Sequence, residues 1–432
     1  MGLCPFINSL SILMKLQQHS LLKGVFDASE NIKHVVKVTP LQESRRLSKD
    51  WNSKIYLKRE DLQPVRSYKL RGAYNKIKNL FAEGKTTKGV VCASAGNHAQ
   101  GVAFACHELQ IQGVIFMPIT TPKQKLEQVQ MFGGDFVEVK LVGDTFDASK
   151  LEAIEYGEKI GAAFIHPFDD PQIIEGQATV ALEILEQTDE KIDYVFVPIG
   201  GGGLAAGIIS VFSELSPDTK IIGVEPKGAA SMKASLEAGH TVELSAIDKF
   251  VDGAAVQKVG DLTFEICKAH LADCITVDEG KICETILEMY NKDAIVLEPA
   301  GALSISALEQ YQDKIKGKNV VCIVSGSNND ITRMEEIKER AMLYKGVKHY
   351  FMVKFPQRPG SLKEFVLHVL GSTDDITFFE YTKKNSRETA SAIVGIELAE
   401  PADFEGLMQR MKDRGYFESY LNDNPNILNI FV

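Results

Sequence analysis

Long apolar runs, paired cysteines and basic clusters are all missing from this chain, and each absence removes a class of function. No uninterrupted apolar stretch reaches the roughly 20 residues that a bilayer-spanning helix needs, so nothing here reads as a membrane partner. The seven cysteines, at positions 4, 92, 106, 267, 274, 283 and 322, form no Cys-x-x-Cys pair. Without metal-ligand spacing and with an odd count, they point to a reducing compartment, hence the cytoplasm, and to no bound metal. Cys92 and Cys322 sit in β-branched runs and read as buried free thiols. A net charge of -10 excludes the clustered Lys and Arg of a nucleic-acid partner surface. Met1 to Met14 lacks the basic start and small-residue cleavage site of a signal peptide. Residues 1–20 are therefore read as an N-terminal extension, with Met14 an alternative start.

What is present is the composition of a soluble globular protein with large cores. At 44% hydrophobic and 25% charged residues, a chain of 432 can bury the cores of two or three domains. Between about 50 and 330, short β-branched runs alternate with helical patterns. Examples are Lys88–Cys92, Gly113–Met117, Asp135–Val139, Tyr194–Val197, Ile221–Val224 and Val320–Val324. Near-continuous apolar strands separated by helices predict parallel sheets covered on both faces, an α/β core. From about 346 the rhythm changes to strand His349–Phe355, helix Ser361–Leu370, strands Ile376–Thr382 and Ser391–Glu397, helix Ala402–Arg414 and a strand near Tyr416–Leu421. That order, βαββαβ, is a ferredoxin-like unit. The charged helix Ile331–Leu343 reads as its connector.

Four segments carry chemistry, and their joint occurrence matters more than any one alone. The first holds Lys58-Arg59-Glu60-Asp61 and then Ser67-Tyr68-Lys69-Leu70-Arg71-Gly72-Ala73, with Lys69 leading into a helix. A lysine acts as a nucleophile when a partly desolvated pocket depresses its pKa; otherwise it is a solvated surface group. The second is Ser94-Ala95-Gly96-Asn97-His98-Ala99-Gln100-Gly101, after a strand ending at Cys92. Its small residues let backbone N–H groups approach a carboxylate closely, although alone it reads as an ordinary strand-to-helix turn. His98 reads as a structural histidine rather than an acid or base. The third is Gly200-Gly201-Gly202-Gly203-Leu204, before a helix starting near Ala205. Successive N–H donors at a helix N-terminus form a phosphate cradle that needs no lysine. It has neither the P-loop lysine nor the dinucleotide glycine spacing. The fourth is Ser325-Gly326-Ser327-Asn328, after a strand. Its serine either bonds a ring nitrogen in a cleft or caps a helix.

Together these segments resemble the pyridoxal-phosphate (PLP) enzymes of the tryptophan-synthase β fold (fold type II), specifically the biosynthetic threonine ammonia-lyases, or threonine deaminases. The resemblance runs from about residue 35 to the C-terminus and includes Thr39-Pro40-Leu41 and Glu298-Pro299-Ala300-Gly301-Ala302. It implies a larger PLP domain from 21–70 and 166–330, a smaller domain from 71–165, a connector at 331–345 and an ACT-like domain from 346–432. It further implies that Lys69 forms the Schiff base with PLP and serves as general base. Asn97 would bond the 3-oxygen, Gly200 to Leu204 the phosphate, and Ser325 the pyridine nitrogen. Ser94, Ala95, Gly96 and His98 would line the substrate's side. A neutral serine at the ring nitrogen favours prompt loss of the β-hydroxyl. L-threonine would then yield 2-oxobutanoate and ammonia, with L-serine as a secondary substrate.

Two departures sharpen that expectation. Relatives that racemise serine carry a second serine where this chain has Ala95, so elimination is favoured over racemisation. Their divalent-cation carboxylate, six residues after the glutamate of a Val-Glu-Pro segment, is here Ser231 after Glu225. Pro356 to Leu362 and Asp375 to Tyr381 resemble the ACT-like domain of threonine deaminases, one copy where longer members have two. The implied effectors are isoleucine as inhibitor and valine as its opponent, and the implied assembly is a homodimer or homotetramer. A purely structural dimerisation module is the other reading of this unit. The rivals for the whole chain are a catabolic serine/threonine dehydratase, a sister PLP lyase or cysteine synthase, and a non-catalytic amino-acid sensor.

Overall fold

The computed structural model describes residues 20–381 and 389–424. The N-terminal extension up to residue 19 and Thr382 lie outside the described residues. Among the described residues two compact units emerge, one of 20–279 with 289–330, the other of 280–288 with 331–381 and 389–424.

The first unit holds two sheets. One has six strands in the order β1-β2-β10-β7-β8-β9: β1 (Leu41–Glu43), β2 (Lys54–Arg59), β7 (Tyr194–Pro198), β8 (Lys220–Pro226), β9 (Asp273–Val277) and β10 (Asn319–Val324). Every pairing in it is parallel except β1 with β2. The other, wholly parallel, has the order β5-β4-β3-β6: β3 (Val90–Ala93), β4 (Gly113–Met117), β5 (Val137–Leu141) and β6 (Ala163–Phe164). The expected runs at Gly113–Met117 and Val320–Val324 fall on β4 and β10. That at Asp135–Val139 begins two residues early, because Gly134–Phe136 closes the preceding helix in a 3-10 turn.

The strands are buried as their composition demands. All of β7 is buried, and five of the six residues of β10 are. Val195, Val197, Val321 and Ile323 join Ile208 and Phe212 of the helix Gly203–Leu215 in one core. A second core surrounds the smaller sheet and takes Leu70, Ala73 and Ile77 from the helix Lys69–Ala82. β3, β7 and β10 lead into Ser94, Gly200 and Ser325, so three of the four chemical segments leave the C-terminal ends of strands, where open α/β sheets bind ligands.

The second unit has one antiparallel sheet, order β12-β13-β11-β14, from β11 (Lys348–Pro356), β12 (Asp375–Tyr381), β13 (Thr389–Glu397) and β14 (Phe417–Tyr420). Helices Ser361–His368 and Asp403–Asp413 supply Phe365, Leu407 and Met411 to a core with Phe351, Val353, Val394 and Ile396. The connectivity is βαββαβ. The connector is a 3-10 turn, Ile331–Arg333, followed by the helix Met334–Lys345.

Candidate active site

The helix that starts at Lys69 is held by charge buried next to it. Arg71 is fully buried; its Nε donates to Glu60 at 2.7 Å and its Nη1 to Glu183 at 2.7 Å. Lys58 Nζ reaches Glu183 at 2.5 Å and the Thr39 carbonyl at 2.6 Å. Lys58, Glu60 and Arg71, grouped with the chemistry from sequence, therefore form with Thr39 a buried network that ties β2 and the helix Pro171–Glu186 to the start of the Lys69 helix. From the other side, the helix Asn97–Leu109 crosses close, and a Cβ on Gly101 would meet the Lys69 carbonyl at 3.1 Å.

Lys69 itself lines a cleft with Tyr68, Asn97, Pro198, Gly200, Glu298 and Ser325. Its Nζ donates to the Pro167 carbonyl at 2.9 Å and lies 5.5 Å from the centre of the Tyr68 ring. Burial pushes the amine down to about 8, against the opposing pull of Glu298. A neutral amine is the nucleophile. Capture of PLP by the cofactor-free protein should therefore quicken about tenfold per pH unit below 8 and level off above it. Stopped-flow absorbance between pH 6 and 10 measures this; a rate still climbing at pH 10 would mean an ordinary lysine.

The segment after β3 behaves as a helix N-terminus. Gly96 precedes the helix Asn97–Leu109 without a side-chain cap, and its N–H donates to Ser94 Oγ at 3.2 Å. The N–H groups of Ala95, Asn97 and His98 have no protein acceptor among the described residues. A Cβ on Gly96 would meet nothing within 4 Å, so the turn faces open space. The His98 imidazole is committed elsewhere: its Nε2 lies 3.0 Å from the Ile165 carbonyl, and burial, with Lys69 nearby, pushes it down to about 3. It is a neutral structural ring, and what it offers this turn is its backbone N–H.

The tetraglycine segment starts its helix at Gly203, two residues before the expected Ala205, because Gly202 itself is the N-cap, at φ +93°. Side chains would not fit here: a Cβ on Gly201 would lie 2.2 Å from the Phe168 ring. No backbone N–H from Gly200 to Leu204 has a protein acceptor among the described residues. Orphaned donors at a helix N-terminus suit a phosphate. Ser325 directly follows β10 in the same cleft, and no helix begins before Ile331, so the helix-cap alternative does not hold.

Glu298 is the group that sequence reasoning did not single out. It is buried in the cleft and accepts from Asn97 Nδ2 at 2.7 Å, while Asn328 Nδ2 donates to Asn97 Oδ1 at 2.7 Å. Burial, with Asp252 adding to it, raises the Glu298 carboxyl to about 7. The sequence signal was a lone charge between Ile295-Val296-Leu297 and Pro299-Ala300-Gly301-Ala302. Glu225, by contrast, accepts from the N–H groups of Met232 and Lys233 at 2.7 and 2.8 Å and anchors the start of a helix. A lysine with a lowered pKa, an N–H cradle, an oriented amide and a hydroxyl around one cleft fit PLP.

Comparison with known proteins agrees. Residues 32–326 match the family of pyridoxal-phosphate dependent enzymes, and residues 339–430 the C-terminal regulatory domain of threonine dehydratase. The chain is 54% identical over 411 residues to L-threonine dehydratase biosynthetic IlvA of Halalkalibacterium halodurans, covering 95% of this chain and 99% of that one. Its Bacillus subtilis counterpart is 53% identical over 419 residues, covering 96% and 99%. Among solved structures, the processed form of threonine deaminase isoform 2 from Solanum lycopersicum superposes with a TM-score of 0.71 at 43% identity, covering 75% of this chain and 89% of that one. This chain belongs to the pyridoxal-phosphate dependent enzymes, in the family of biosynthetic threonine dehydratases that carry a C-terminal regulatory domain.

Proposed function

We propose that this chain eliminates ammonia from L-threonine to give 2-oxobutanoate, the committed step towards isoleucine, under feedback by amino acids acting on its C-terminal unit. The observation that carries the reading is the convergence of Lys69, Asn97, Gly200 and Ser325 on one cleft in a chain of this family. Lys69 would hold PLP through its Nζ, Gly200 to Leu204 the phosphate, Asn97 the 3-oxygen and Ser325 the ring nitrogen. Bound there, PLP supplies the electron sink that lets a proton leave Cα and the β-hydroxyl depart.

The chain's own residues do the rest. The N–H groups of Ala95, Asn97 and His98 receive the substrate carboxylate at a helix N-terminus. Lys69 Nζ takes the Cα proton as general base, with its pKa near working pH. Ala95 carries no acid or base, so no proton returns from that face and elimination wins over racemisation. L-serine, lacking only the γ-methyl, should turn over with kcat/KM about 10- to 200-fold lower.

The C-terminal unit would bind isoleucine as inhibitor and valine as its opponent, in a homodimer or homotetramer working in the cytoplasm. No described helix is long and apolar enough to cross a membrane. The test is 2-oxo-acid formation from L-threonine and L-serine by PLP-loaded protein, with and without isoleucine. Turnover suppressed by isoleucine and restored by valine is expected. Absence of any 2-oxobutanoate from the loaded protein would overturn the reading. Threonine turnover indifferent to isoleucine would leave the C-terminal unit a dimerisation module.

A further inference from the structure

We propose that Thr263 is a positioning residue for the phosphate cradle, holding one peptide of the glycine loop so that its N–H stays available to the cofactor's phosphate. The proposal rests on the reading of Gly200 to Leu204 as that cradle. Thr263 is fully buried, and its Oγ1 lies 2.7 Å from the Gly201 carbonyl and 3.1 Å from that of Gly260. One hydroxyl proton serves one acceptor well, and the shorter contact is to Gly201. The Gly260 N–H also donates to the Gly201 carbonyl, at 3.2 Å.

The consequence follows from peptide geometry. No described peptide is cis, and across a trans peptide the carbonyl of one residue and the N–H of the next point to opposite sides. Drawing the Gly201 carbonyl towards Thr263 therefore turns the Gly202 N–H away from it. That N–H is one of the donors with no protein acceptor. The restraint matters because glycine stands on both sides of this peptide, so its rotation meets little steric resistance. A Cβ on Gly202 would lie 2.8 Å from both Cβ and Oγ1 of Thr263, which shows how closely the side chain sits against the loop.

Thr263 is itself held in place. It lies in the first turn of the helix Asp261–His270, which has no side-chain cap of its own at Gly260. The Asp169 carboxylate accepts instead from the N–H groups of Asp261, Leu262 and Thr263, at 3.1, 3.0 and 3.2 Å. Asp169 follows Pro167, whose carbonyl receives Lys69 Nζ, and Phe168, whose ring stands over Gly201. One short segment therefore contacts the lysine directly, and the cradle both through the Phe168 ring and through Thr263.

The experiment measures dissociation constants of cofactor-free protein for PLP and for pyridoxal, which lacks the phosphate, by absorbance titration of wild type, Thr263→Val and Thr263→Ser. Wild type is expected to prefer PLP strongly. Thr263→Val should weaken PLP about 5- to 10-fold, the scale of one lost hydrogen bond, and leave pyridoxal within about twofold. Thr263→Ser, which keeps the hydroxyl, should restore PLP affinity. Unchanged PLP affinity in Thr263→Val, or an equal loss for both ligands, would overturn the positioning role. Wild type binding pyridoxal as tightly as PLP would instead overturn the cradle itself, and the proposal with it. If the valine chain does not accumulate folded, Thr263→Ala carries the same comparison.

Discussion

Lys69→Ala should lower 2-oxobutanoate formation by at least about 10⁴-fold, the upper range for removing a general base, while the protein still folds and still retains PLP. The size follows from what surrounds the amine. The two nearby imidazoles cannot replace it: burial pushes His98 down to about 3 and His166 down to about 4. His98 is bound to the Ile165 carbonyl, and His166 Nδ1 accepts from the N–H of Asp169 at 2.8 Å. Glu298 is engaged by Asn97. Retention of PLP follows because the N–H donors of the glycine segment, at the start of the helix Gly203–Leu215, belong to a different element from the helix that Lys69 starts. Lys69→Arg is expected to fail equally, since a guanidinium does not give up its proton at working pH. Turnover above about one-hundredth of wild type, in protein purified from a host lacking its own enzyme, would place the base elsewhere.

Much of this site was legible because its parts are local. A strand, a turn of small residues and a helix N-terminus occupy neighbouring positions in the chain, so the segments could be read locally, whereas the roles of Lys69, Asn97, Gly200 and Ser325 came from the family resemblance that the segments carry together. β4 and β10 were legible for the same reason, as β-branched runs between polar turns. β2 was not recognised as a strand, because Lys54-Ile55-Tyr56-Leu57-Lys58-Arg59 shows charge at both ends. The buried partners of Lys58 and Arg59 that make a strand of it come from residues as distant as Glu183. Glu298 and Thr263 were missed for a related reason. Their meaning depends on contacts 201 and 62 residues away, with Asn97 and Gly201, and the lone charge that marks Glu298 in its apolar run does not name its partner.

Glu298→Ala should lower kcat/KM for threonine about 10- to 150-fold, whereas Glu298→Gln should stay within about fivefold of wild type, because the carboxyl acts by orienting Asn97 rather than by moving a proton. An asparagine amide can turn over, exchanging its acceptor for its donor face at little cost unless its partners choose. Here they do: Asn328 Nδ2 donates to Asn97 Oδ1, and Glu298 Oε1 accepts one of the two Asn97 Nδ2 protons. The second proton remains available to the cofactor. Alanine removes the acceptor that fixes this orientation, and the cost is that of a buried hydrogen bond to a charged group. Glutamine keeps an oxygen in reach and retains the arrangement. The pH dependence separates the two accounts. The wild-type carboxyl is raised to about 7, chiefly by burial, so above that pH it is an acceptor only and holds Asn97 firmly. Below it, the protonated form gains an O–H that competes for Asn97 Oδ1, and kcat/KM should fall. That acid limb should disappear in Glu298→Gln, whose amide does not titrate. A glutamine chain as damaged as the alanine chain, across the whole pH range, would show that the charge itself is required and that Glu298 takes part in proton transfer.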